Sequence, residues 1–402
     1  LGELPVPREA PPGFAGAGAV PTVRALAADA AGTVAAVTAA GDLWVAERAE
    51  KFSDADGSFD SGFRSNDVES ADSCSEGTFS VPPGFSMTCV TRGQPSAAHC
   101  VAWHPHDKRG VFAVAGGGAR VCVYAAETRT CIAFVWASDP TPARVTCAAF
   151  APDPAPEAFP EAEDTDERGG MMLALGTADG QVRLVRLRMS DEKTKTKTKA
   201  YVARTVAAVT SSEKRFAISV LRFSPDGARL AVAADKELFV HEVVGAAAAL
   251  HSHVENDEVV LDGVDEATFS NASKAVHTVR WLPSRVACRG HRGAIVSADW
   301  STDGLIVRST CRAREILHFD ARSGRQAVGD FRDAEWATWT APLGFPVMGV
   351  FQNGGNGGDE INSVSRRDVF SSSNDGEAIA ATETVVAAGD DFGRVRVFLW
   401  PC

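Results

Sequence analysis

Residues with the chemical potential for catalysis or metal binding fall in a few short stretches of this chain. Asp391-Phe392-Gly393 spells the metal-holding triplet of phosphoryl-transfer enzymes. Such an enzyme also needs a glycine-rich phosphate loop, a strand lysine and a catalytic-loop aspartate, and the sequence offers none of these in the required context. The triplet lies between two apolar runs, VVAAGD and RVRVF, where a hairpin turn belongs. Gly116-Gly117-Gly118 lacks the following Lys-Ser/Thr and helix start that would hold an anion, and reads as a turn. His99, Cys100, His104 and His106 form a metal-like cluster. Successive strand residues point to opposite faces, and zinc sites favour paired short spacings that this stretch lacks. We read them as repeat residues. No Gly-x-Ser-x-Gly elbow and no recognisable triad order is present. The sequence reading therefore assigns no catalytic, cofactor-binding or metal residue.

Two further stretches could bind without reacting. Lys193, Lys195, Lys197 and Lys199 alternate with Thr and could meet an acidic partner in a salt-sensitive contact, or form a solvated linker. The aromatic run Trp336, Trp339, Phe345 and Phe351 could be a docking surface or could pack internally.

The elements that must carry these residues are repeated strands. ISVLRFSPDGARLAVAADKELFVHEV (218–243) alternates apolar residues, turns at Ser224-Pro225-Asp226-Gly227, alternates again and turns at Asp235. Period-two alternation broken by turn chemistry is the antiparallel β signal. The phrase recurs with decay at 23–47, 100–124, 145–187, 294–320 and 361–398. Its anchors Trp103, Phe150, Phe223 and Trp300 lie 47, 73 and 77 residues apart, beyond the ~40–45 of a WD repeat, so inserts separate the copies. The expectation is an all-β WD-repeat propeller, six visible blades of a seven-bladed ring, over 1–402. The blades fall at 19–47, 99–136, 145–187, 218–290, 291–351 and 359–402. Polar inserts at 48–96, 152–170, 188–216, 244–275 and 352–378 have the composition of disorder. One short run, 246–254, has helical character. Structural turn and blade residues are His291, Phe319, Asp320, Asp179, Asp235, Asp390 and Asp391. Gly290-His291 and Phe319-Asp320 carry part of the WD signature, but Ala313 takes the place of the turn aspartate, so the polar chain of such blades reads as broken.

The chain has 402 residues, a net charge of −12 and 45% hydrophobic residues. That charge argues against nucleic acid as the main partner, because phosphate binding needs clustered Lys and Arg. No stretch reaches the ~20 apolar residues of a membrane span. Nine scattered cysteines suit reduced thiols better than a disulfide frame.

The stretches CRGHRGAIVSADWSTDG, EILHFDARSG, WATWTAPLGFPVMGVF, DEINSV and AGDDFGRVRVFLWPC, in that order, resemble the echinoderm microtubule-associated protein-like family. The resemblance is strong over 288–402 and fair from 218. Its most specific positions include Trp336, Thr338, Gly344, Phe345, Gly349, Asp359, Ile361, Asn362, Asp390, Asp391, Phe392, Gly393, Pro401 and Cys402. The resemblance implies a non-catalytic propeller that binds tubulin or microtubules, in cytoplasm and cytoskeleton, cilium included. It also implies a preceding propeller in the parent chain and a further repeat after Pro401-Cys402. The alternative is a WD-type scaffold for a non-tubulin complex, such as a ciliary assembly or a ubiquitin ligase adaptor. No cofactor is implied.

Overall fold

The computed structural model describes residues 2–5, 23–28, 34–38, 43–48, 85–91, 98–105, 110–116, 120–126, 128, 130–136, 143–152, 171–189, 201–210, 215–243, 285–351, 361–369, 383–390 and 394–402. These form antiparallel sheets in chain order. After β1 (Gly2–Pro5), the first sheet holds β2 (Val23–Ala28), β3 (Val34–Thr38), β4 (Leu43–Arg48) and β5 (Phe85–Thr91). The second holds β6 (Ala98–Trp103), β7 (Val111–Gly116), β8 (Arg120–Ala125) and β9 (Cys131–Trp136). The third holds β10 (Val145–Phe150), β11 (Met171–Thr177), β12 (Gln181–Met189) and β13 (Tyr201–Thr210). The fourth holds β14 (Ile218–Phe223), β15 (Arg229–Ala234), β16 (Glu237–Glu242) and β17 (Arg285–Cys288). The fifth has only β18 (Ile295–Trp300), β19 (Ile306–Cys311) and β20 (Ile316–Asp320). The last holds β21 (Ile361–Val369), β22 (Glu383–Asp390) and β23 (Arg394–Leu399), and β1 pairs with β23 as its outer strand.

The inner strands β2, β6, β10, β14 and β18 lie side by side, and β21 lies against β2, so the sheets run around a ring. The core is divided among the gaps between sheets. One cluster joins Val121, Val123 and Val135 of the second sheet to Phe150, Leu173 and Leu187 of the third. Another joins Leu184 to Leu221, Leu230 and Phe239. A third joins Val240 and Leu238 to Trp300, Val307 and Phe319. A central strand is therefore covered on both faces, which is why β7 (VFAVAG) is apolar and buried throughout.

Every inner strand carries a register shift at its second residue, at Arg24, His99, Thr146, Ser219, Val296 and Asn362. A bulge at one place in every copy shows that the six inner strands are structurally equivalent. At the far end of four of them, β6, β10, β14 and β18, sits the sequence anchor. Trp103 Nε1 donates to Ala27 O at 2.8 Å and Trp300 Nε1 to Arg222 O at 3.0 Å, each tying a blade to the one before. Phe150 and Phe223 occupy equivalent places and, having no N–H, contribute packing alone.

Two ranges expected to be inserts hold strands, a correction to the sequence reading. β5 lies within 48–96 and β13 within 188–216, each the outer strand of its sheet. The apolar YVARTVAAVT is separated from its hairpin partner by the Lys/Thr run, which dominated the composition of the whole range. β21 likewise extends into 352–378. Most of the rest of 48–96, 152–170, 188–216 and 352–378, and all of 244–275 with the run 246–254, lie outside the described residues. No seventh sheet is present among the described residues. The ring passes from the last sheet directly to the first, and a non-repetitive segment holds the place between the fifth and the last.

Candidate interaction surface

That segment runs from Glu335 to Ala341 and is bonded on both sides. Toward β18, Ala337 N donates to Trp300 O at 2.9 Å, Thr302 N to Glu335 O at 3.0 Å, and Ser301 bridges Trp336. Toward β21, Arg366 N donates to Trp339 O at 3.1 Å and Arg366 Nη2 to Trp336 O at 2.6 Å. It is a wedge between two blades.

Its anchor is a buried ion pair. Arg308 Nη2 donates to Asp299 Oδ2 at 2.8 Å, and both side chains are shut off from solvent. Asp299 also accepts Thr338 Oγ1 at 2.8 Å, Thr340 N at 2.9 Å and Thr340 Oγ1 at 2.9 Å. Burial alone would raise the Asp299 carboxyl. The Arg308 guanidinium, with Arg222 and these donors, outweighs it and holds the group below the usual carboxylate range. Arg308 is in turn gripped between rings, 4.3 Å from the Trp336 centroid and 3.7 Å from that of Trp339. A buried pair is stabilising only when its remaining donors and acceptors are satisfied, and here the wedge satisfies most of the carboxylate. The pair therefore works as a lock on the wedge.

The tryptophans then set the next turn. Trp339 Nε1 donates to Ala341 O at 2.8 Å. Gly344 has φ +127°, and a Cβ there would sit 2.9 Å from Trp339 Cζ2, so the chain can reverse over the indole only at glycine. A 3-10 segment, Phe345–Phe351, follows. Val347 and Val350 turn inward onto Val364, Val386 and Phe398. The chain end clasps it from outside: Gly349 N donates to Cys402 O and Cys402 N to Pro346 O, both at 3.0 Å. A Cβ on Gly349 would lie 2.6 Å from the Cys402 backbone. What remains outward is apolar: Phe345 is 79% exposed and Met348 64%, with Phe351 and Leu399 exposed too. The aromatic run thus divides, Trp336 and Trp339 packing internally while Phe345 and Phe351 form a rim.

The other expected residues scatter over turns. Asp179 accepts the Thr177 hydroxyl in the β11–β12 turn. Asp235 takes a left-handed φ of +52° in the β15–β16 turn, and its carbonyl accepts Ile295 N at 2.7 Å. Asp320 caps the turn after β20, accepting Ser323 N at 2.7 Å. Asp390 is buried with Arg396, 3.5 Å away. Phe319 is fully buried, and His291 donates to or accepts from Ser309 Oγ at 2.7 Å. The polar chain read as broken at Ala313 therefore keeps its His–Ser link, and Glu315, two residues further on, comes near His291 instead. Asn362 lies in β21 at the bulge. Asp359, Asp391, Phe392, Gly393, Gly117, Gly118, His106 and Lys193, Lys195, Lys197 and Lys199 lie outside the described residues.

Sequence reasoning missed Asp299, Arg308 and Met348. A signal existed for the pair: a lone charge in each of the otherwise uncharged strands IVSADW and IVRSTC. Nothing in it said that the two would meet. Among the described residues no helix is long and apolar enough to cross a membrane.

Residues 98–402 match the family described as the echinoderm microtubule-associated protein second β-propeller. Echinoderm microtubule-associated protein-like 3 of Homo sapiens is 32% identical over 189 residues, 46% of this chain and 16% of that protein. The 77 kDa echinoderm microtubule-associated protein of Strongylocentrotus purpuratus is 29% identical over 185 residues, 45% of this chain and 20% of that one. Echinoderm microtubule-associated protein-like 2 of Mus musculus is 29% identical over 326 residues, 80% of this chain and 37% of that protein. The chain thus matches between 16% and 37% of the length of these relatives. With blades, wedge and clasp in place over the matched residues, the chain belongs to the echinoderm microtubule-associated protein family.

Proposed function

We propose that this propeller is a non-catalytic interaction module that binds tubulin or microtubules, acting at the cytoskeleton. The observation that carries the reading is the rim: Phe345 and Met348 stand exposed on a segment locked from below by Asp299 and Arg308. A rigid base spares the backbone ordering cost when a partner covers the exposed side chains, which is how pre-organised interface anchors work. The relatives' names as microtubule-associated proteins supply the partner class. With a net charge of −12 the chain would repel the acidic tails of tubulin at long range. Lys193, Lys195, Lys197 and Lys199 offer a local counter-charge, and we assign them a secondary, salt-sensitive contact. A preceding propeller in the parent chain is part of the same proposal.

Co-sedimentation with microtubules and binding to unpolymerised tubulin, each across a salt series, test it. Binding is expected, with Phe345→Ser/Met348→Ser weakening it at all salt concentrations and replacement of the four lysines weakening it only at low salt. No binding to either form would favour a scaffold for a non-tubulin complex.

A further inference from the structure

We propose that His291, Cys311 and Glu315 form a binding site for a zinc-class divalent cation on the fifth blade. A His291 ring nitrogen, Cys311 Sγ and a Glu315 carboxylate oxygen, one ligand atom from each, all lie within 4.8 Å of one another. The Cys311 thiol donates to Glu315 Oε2 at 3.4 Å, and His291 Nδ1 is 3.9 Å from the same oxygen. Zinc–ligand bonds of about 2.0–2.3 Å in a tetrahedron place neighbouring ligand atoms roughly 3.3–3.8 Å apart. The trio needs only a modest contraction to reach that spacing.

The second observation is the state of the histidine. Its side chain is 0% exposed, yet Nδ1 has no hydrogen-bond partner, and 3.9 Å is too long for a bond to Glu315. The other ring nitrogen, Nε2, lies 2.7 Å from Ser309 Oγ. If Nε2–H is the donor there, Nδ1 is left with its lone pair directed into the cluster, the arrangement that orients ligating histidines. The carboxylate is held as well, accepting Arg292 N at 2.9 Å on Oε2 and the Arg292 side chain on Oε1. The Arg292 guanidinium sits on Oε1, and the Oε2 lone pair that accepts the Cys311 thiol is released when that thiol loses its proton.

The frame around the trio is stiff. Arg312 N donates to Ala294 O and Arg314 N to Cys311 O, both at 2.9 Å, with Arg314 in the left-handed region at φ +61°. A Cβ on Gly293 would lie 2.8 Å from Ala313 N, so the loop before β18 is pressed onto the β19–β20 turn. Thiolate and imidazole select zinc-like ions over magnesium or calcium, which favour oxygen. On binding, the Cys311 S–H bond breaks, its proton goes to solvent, and an S–metal bond forms. Three protein ligands leave the fourth position for water. The ion would join the loop to the turn at the place where a turn aspartate is missing.

The test uses the full chain, stripped with chelator, and titrates it with Co2+ and then Zn2+ alone. One Co2+ per chain with a thiolate-to-metal charge-transfer band, displaced by Zn2+, is expected. Cys311→Ser should abolish the band, Ser309→Ala should weaken affinity about 10–100-fold, and Cys288→Ser should leave both unchanged. If Cys311→Ser fails to fold by circular dichroism, Glu315→Gln is read instead for loss of affinity. No band, or a band that survives loss of Cys311, overturns the site.

Discussion

The fourth and fifth blades begin from the same local chemistry and end differently. In one, Ser224 Oγ donates to Asp226 at 2.5 Å and Arg229 N returns to Ser224 Oγ at 2.9 Å. In the other, Ser301 Oγ donates to Asp303 at 2.5 Å and Ile306 N returns to Ser301 Oγ at 2.9 Å. Gly227 and Gly304 close these turns at φ +70° and +67°. Yet the fourth blade completes itself with β17, whereas the fifth keeps only a single bridge, Phe319 to Gln326, at that edge and offers Asp299 and Arg308 to a wedge. The lesson is that an equal turn grammar builds an equal hairpin. What docks on the hairpin is decided by a few buried charges.

If the wedge depends on that pair, Arg308→Ala should destabilise by about 3–5 kcal/mol, since it strands a buried carboxylate. Denaturant unfolding should show it, and an effect below 1 kcal/mol would remove the lock from the account. Gly349→Ala tests the clasp. It forces the chain end away from the 3-10 segment and should cost about 1–3 kcal/mol, whereas Gly227→Ala in the fourth blade meets nothing closer than Pro152 Cγ at 3.5 Å and bears only the φ penalty.

Acid should act first on two histidines, His241 of the fourth blade and His318 of the fifth, each lowered to about 4 by burial and a neighbouring arginine, and only at lower pH on Asp299. Burial, and secondarily Arg285, lower His241 of the fourth blade from 6.5 to about 4. The unfolded chain then takes up a proton that the folded chain refuses, so stability falls as pH drops from about 6.5 toward 4. Asp299 of the fifth blade is depressed instead, so its contribution is held above the ordinary carboxylate pKa and lost only at lower pH. His241→Leu should shrink the first decline in thermal melts, leaving the share of His318 and the whole of the second; an unchanged profile would exonerate His241. Ser224→Ala and Ser301→Ala should each cost about 1 kcal/mol, and a large inequality would show that the turns are not equivalent. Met348→Ser should change stability by less than about 0.5 kcal/mol while lowering partner binding.

Legibility followed range in the chain. Turn tetrads, alternation and the anchors Trp103, Phe150, Phe223 and Trp300 are local, and each anchor stands at an equivalent place in its blade. β13 was hidden because its hairpin partner lies across the Lys/Thr run, and the Asp299 partners Thr338 and Thr340 lie about forty residues away. The family resemblance marked Trp336, Gly344, Phe345 and Gly349, but not which of them would be buried.

The sequence by itself determined a ring of antiparallel blades, because strand alternation and turn residues act over a few positions. Only the tertiary structure decided that one blade has its outer strand reduced to a single bridge, that β1 closes the last sheet, and that Phe345 faces out while Trp339 faces in. Those outcomes rest on contacts between residues tens to hundreds of positions apart. No local pattern encodes such a meeting, because it depends on where the whole ring brings each strand.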